Sequence, residues 1–97
     1  MYARVTSAQI QPAKMEEAIH ITQESIIPAI KQQHGFLGFT DLIDRETGKV
    51  VFISRFETQA DMQAGLSNGF VRQQLAKLTS VLAGPASSDL YEVLFHE

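Results

Sequence analysis

Lys49-Val50-Val51-Phe52-Ile53-Ser54-Arg55-Phe56 is the stretch that decides the fold. Its β-branched and aromatic residues read as a strand. Side chains along a strand alternate between faces, so Val50, Phe52 and Phe56 share one side and Val51 and Ile53 the other. Both sides are apolar. The final segment repeats this, with Tyr91, Val93 and Phe95 on one side and Leu90 and Leu94 on the other. A sheet carrying helices on one side needs a single apolar face. The second face needs other cover, and in a chain of 97 residues the expected cover is a second copy.

Working outward, Asp44-Arg45-Glu46-Thr47-Gly48 is a hairpin turn, with Gly48 free to take positive φ. The strand before it runs over 36–44 and the strand after it over 49–57. The first strand is expected over 2–10. A helix then opens at Pro12, whose missing N–H would be unpaired at that position anyway. Met15, Ile19, Ile26 and Ile30 recur at helical spacing. Pro28 kinks this helix without ending it, and His34-Gly35 stops it with a left-handed glycine cap. Thr58-Gln59-Ala60-Asp61 resembles a capping box that starts a short helix. Ser67-Asn68-Gly69 breaks that helix, a second stretch runs over 70–82, and a last strand spans 89–96. The order β-α-β-β-α-β, with right-handed crossovers, is a ferredoxin-like α+β fold: one domain over 1–97, a four-stranded antiparallel sheet, and helices on one face. Two such sheets face to face make a dimeric α+β barrel.

Composition narrows the function. A net charge of −3 and singly scattered Lys and Arg exclude the basic stripe of a nucleic-acid binder. No apolar run approaches a membrane span. The chain opens directly on a strand pattern rather than on a secretory leader, and it has no Cys; both point to the cytoplasm.

The chain resembles the antibiotic biosynthesis monooxygenase family of dimeric α+β barrels. The resemblance rests on Gly35-Phe36-Leu37-Gly38-Phe39 opening the second strand, on the 44–48 hairpin, and on Phe56-Glu57-Thr58 ahead of a broken helix carrying Ser67 and Phe70. It implies a homodimer with a ligand cleft between helices and sheet. It also implies oxygen chemistry on a small aromatic or quinol-like substrate, without metal, flavin or other cofactor. In that chemistry the deprotonated substrate reacts with dioxygen, while the protein supplies a dry pocket, a base and hydrogen bonds to the anion. The register of the resemblance puts Gly65 where the haem-degrading branch has Trp and Leu75 where it has His. Leu cannot ligate iron, so haem degradation is excluded. The alternative is a non-catalytic dimeric module that binds a small ligand in the same cleft.

Arg4 and Arg55 are charges within otherwise apolar strands. A buried Arg needs a partner: an internal acid such as Asp41 or Glu92, or an anionic ligand. Arg55, Tyr91 and His20 are the candidate catalytic residues. Arg55 would stabilise the anion, Tyr91 would donate to a substrate oxygen, and His20 would accept a proton at the cleft edge. Arg4, Phe52, Phe56 and Phe70 are the candidate substrate-binding residues, the rings forming an aromatic wall. His34 at a helix end reads as a cap. No metal site is expected, because the His residues share no ligand spacing.

Overall fold

The computed structural model describes residues 1–97. Its elements are β1 (Tyr2–Gln9), α1 (Met15–Ile21), α2 (Ile27–Ile30), β2 (Phe36–Ile43), β3 (Lys49–Phe56), α3 (Gln59–Ser67), α4 (Phe70–Ala76) and β4 (Ser87–Glu92). The four strands form one antiparallel sheet in the order β2-β3-β1-β4, the ferredoxin-like arrangement. The helices cover one face. The core between them and the sheet includes Ile10, Met15, Ile26, Phe52, Leu78 and Val81.

The first helical segment is continuous but not uniform. A 3-10 turn at Pro12–Lys14 leads into α1, and a π-helical turn at Thr22–Ile26 joins α1 to α2. Ala18, Thr22, Ile26 and Ile30 are all buried, at intervals of four residues. An ideal α-helix would rotate such a stripe by about 40° at each step. The wider π turn takes up that drift, and it lies just ahead of Pro28, whose ring would crowd the carbonyl four residues back. Gly35, at φ 76°, ends the segment, and Gly48, at φ 80°, closes the β2–β3 hairpin. The Thr58 side chain accepts from the Asp61 N–H at 3.1 Å and caps α3.

Two expected boundaries move. β4 starts at Ser87 and stops at Glu92, rather than running from 89 to 96. Its register explains the stop. Tyr2 faces Glu92, so a longer β4 runs past the start of β1. Val93 N still donates to Met1 O at 2.9 Å, whereas Leu94 and Phe95 stand exposed. The helix expected over 70–82 ends at Ala76. The chain then turns back to the sheet, where Gln11 N bonds Val81 O and Ala83 N bonds Gln9 O. Leu78 and Val81 are fully buried by that return.

Strand parity settles which side each residue takes. Arg4, Thr6, Val50, Phe52, Ser54 and Phe56 are buried on the helix side. The other face presents Val5, Val51, Ile53, Leu42 and Tyr91, and no element of the chain covers it. Leu42 and Tyr91 remain half exposed there.

Candidate active site

Arg4 is the third residue of β1 and points into the protein, 3% exposed. Its register partner on β3 is Ser54, whose partner on β2 is Phe39. The Arg4 guanidinium donates from Nη1 to Met62 O at 3.0 Å and from Nη2 to Gln33 Oε1 at 3.1 Å. It also lies over the Phe56 ring, 4.9 Å from its centroid. All these partners are neutral. The two ion pairs of the chain are His34–Asp61 and Arg45–Glu16, so no carboxylate meets Arg4. Burial pulls the Arg4 pKa down to about 10, which leaves it cationic at neutral pH. Gly65 on α3 makes this placement possible. A Cβ there would collide with Arg4 Nη1 and come within 2.9 Å of Gln33 Nε2.

Arg4 and Ser54 open onto a cavity between the sheet and α4. Phe39 and Phe52, stacked with centroids 5.9 Å apart, form one wall, and Phe70, Val71 and Leu75 form the opposite one. The cavity volume is about 30 Å³. A space of that size holds little more than water, so an aromatic ligand entering it must displace part of the lining. Thr6 and Gln74 add polar groups to the lining. The Thr6 hydroxyl pairs with Ser88 Oγ at 2.8 Å, and Gln74 Oε1 accepts from Lys77 Nζ at 2.7 Å.

The structure separates the expected site residues. Arg4, Phe52 and Phe70 line the cavity. Phe56 is fully buried beneath Arg4, edge-on to Phe36, and does not reach the cavity. The three expected catalytic side chains are not brought together there. Arg55 sits opposite Ala3, which turns it to the other face of the sheet, where it lies across Gly38 and bonds His96 at 3.4 Å. Tyr91 also pairs with Ala3, from β4, and is 53% exposed on that same face. His20 is exposed on α1. Neither Asp41 nor Glu92 pairs with an arginine. Asp41, opposite Phe52 on the edge strand, has its carboxyl pushed up to about 6 by partial burial, although much of the residue meets solvent.

Ser54, Gln33, Gln74 and Phe39 complete the site, and sequence reasoning did not select them. The signal available was Ser54 interrupting the apolar helix-side row of β3. His34 forms a tie: its Nδ1 meets Asp61 Oδ1 at 2.7 Å and links the turn after the first helical segment to the start of α3, while the helix cap is Lys31. Nowhere do three or more His, Cys, Asp or Glu side chains gather as metal ligands would.

This fold recurs among solved structures. An antibiotic biosynthesis monooxygenase crystal structure superposes with a TM-score of 0.74 at 14% identity, covering 97% of this chain and 99% of that one. The chain has the antibiotic biosynthesis monooxygenase fold. A monooxygenase from the ActVA-Orf6 gene of Streptomyces coelicolor, solved with the ligand nanaomycin D, matches with a TM-score of 0.77 at 17% identity over 99% of this chain and 89% of that one. NE2512 of Nitrosomonas europaea, a protein of unknown function, matches with a TM-score of 0.76 at 19% identity over 99% and 91%. Identities this low establish the monooxygenase fold and leave the activity open. No family model matches the sequence. Among curated proteins, the uncharacterized Mycobacterium tuberculosis proteins Rv2558 and Rv2557 are 30% and 31% identical over 66 and 64 residues. Those segments are 68% and 66% of this chain but only 28% and 29% of the relatives, so the chain spans under a third of their length. No helix is long and apolar enough to cross a membrane.

Proposed function

We propose that this protein is a cofactor-independent monooxygenase, working as a homodimer on a small aromatic or quinol-like anion. The observation that carries the reading is Arg4: a buried cation with neutral partners only, opening onto an aromatic-walled cavity. A charge in such a place is stabilised by an opposite charge, and the cavity is where one can arrive. A phenolic oxygen beside Arg4 would ionise more readily than in water. The ionised ring can then pass electrons to dioxygen. In an anthrone, for example, one oxygen atom replaces the ring methylene hydrogens as a carbonyl and the other leaves as water. The apolar walls keep bulk water from the reacting carbon. The fold shared with known monooxygenase structures supports this reading. The uncovered apolar face of the sheet supports self-association. The absence of Cys fits a reducing cytoplasm.

The absence of Arg55, Tyr91 and His20 from the cavity lining favours a second reading, a dimeric ligand-binding module without turnover. Dioxygen uptake separates the two. Aerobic incubation with a panel of hydroquinones and anthrones is expected to show uptake above buffer that Arg4→Met abolishes. Saturable binding without uptake across the panel would assign the protein to the binding module instead.

A further inference from the structure

The cavity offers more donors than one anionic oxygen uses. Ser54 is 4% exposed and faces the cavity. Gln74, 8% exposed, faces the sheet from α4. Its carboxamide is oriented by Lys77, whose Nζ donates to Oε1 at 2.7 Å and lies 3.4 Å from Ser25 O. An ammonium group can only donate, so it fixes the amide oxygen on its own side and leaves the NH₂ group for the cavity. Thr6, the remaining polar residue of the lining, is already engaged by Ser88.

We infer that the site is built for a ring carrying two neighbouring oxygens: one anionic, held by Arg4, and one neutral, held by Ser54 and the Gln74 amide. This rests on the proposed function and names its substrate class: a catechol- or salicylate-type aromatic rather than a ring with a single oxygen. Strand register sets the spacing. Arg4 and Ser54 are register partners on β1 and β3 and Gln74 borders the same cavity from α4, so the two oxygens enter side by side along one edge of the ring, against a lining that includes Phe39, Phe52 and Phe70. Gln74 and Ser54 are therefore specificity-determining residues, and Lys77 is a positioning residue that acts through Gln74.

Calorimetric titration of the full chain with salicylate and with benzoate tests this. The two probes share the carboxylate and differ by one adjacent hydroxyl. The wild type should bind salicylate about tenfold tighter, the worth of a well-made buried hydrogen bond. Gln74→Met and Ser54→Ala should bring salicylate close to the benzoate affinity while leaving benzoate within about twofold. That benzoate isotherm also reports that each variant has folded. Lys77→Met should lower the salicylate preference part-way and leave benzoate unchanged, which a merely structural lysine would not do. Both probes binding with one ratio in wild type and variants alike would overturn the inference and leave the anion site standing. Neither probe binding the wild type would overturn the anion site itself, and this inference with it.

Discussion

Replacing Gly65 with alanine is the most discriminating perturbation of the buried arginine. Gly65 lies inside α3 with no need for positive φ, so alanine at that position ought to help. Helix propensity alone favours it by about 1 kcal/mol. The new methyl group, however, would occupy the space of Arg4 Nη1 and press on Gln33 Nε2. Arg4 cannot swing out to solvent, because it is held beneath α3, with Phe56 against its other side. The expected result is loss of the Nη1 bond to Met62 O and weakening of the Nη2 bond to Gln33. A hydrogen bond to a charged group contributes about 1.5–3 kcal/mol, so the net change is a destabilisation of about 0.5–2 kcal/mol. The control is the same substitution in an Arg4→Met background. With no guanidinium to displace, Gly65→Ala should become neutral or stabilising by up to about 1 kcal/mol, and the cycle isolates the coupling between the two positions. Urea denaturation at one fixed protein concentration measures all four proteins, so that self-association affects each alike. Gly65→Ala stabilising the wild type as much as the Arg4→Met variant would refute the reasoning.

The open face and the His34–Asp61 tie yield further expectations. Ile53→Glu puts a charge at the centre of the uncovered face, opposite Val5 and Thr40. It should convert a wild-type species of twice the 10.8 kDa protomer mass into a protomer in sedimentation, whereas a wild type that already sediments as a folded protomer would remove the barrel. The Asp61 hydrogen bond and charge raise the His34 pKa above 6.5, so that contribution is complete below the unfolded value and fades as pH rises through the folded one. Asp61 is held below the ordinary carboxylate range by His34 and Thr58, so its share is lost only as pH falls through that lowered value. His34→Ala should therefore remove a decline in thermal stability on the alkaline side of 6.5 and leave the Thr58 cap intact; an unchanged pH profile would count against the tie.

Period-two reading carried far in this protein. It placed Val50, Phe52 and Phe56 on one side of β3, and the structure has that side facing the helices. The same parity makes Arg4 and Arg55 face opposite ways, since Arg55 is registered against Ala3. That relation depends on cross-strand register, which a single strand does not reveal. The ends of β4 and α4 were not legible for a related reason: each is set by where a distant segment runs out or bonds back, not by its own residues. His20 drew attention as a titrating side chain beside an apolar stripe, but the stripe passes through Ala18 and Thr22 and leaves His20 in solvent. Gln33 and Gln74 escaped notice because glutamines in helices usually mark a solvated face. Gln33 reveals its role only where it meets Arg4, and Gln74 only where it lines the cavity.

The central claim is that Arg4 keeps its charge for an anion arriving from outside the chain. Titrating benzoate into the wild type and into Arg4→Met at neutral pH, with heat as the readout, tests it most directly. The account predicts one saturable site per protomer in the wild type, weakened by more than about tenfold in the variant. Equal binding by the two proteins, or none by the wild type, would contradict it.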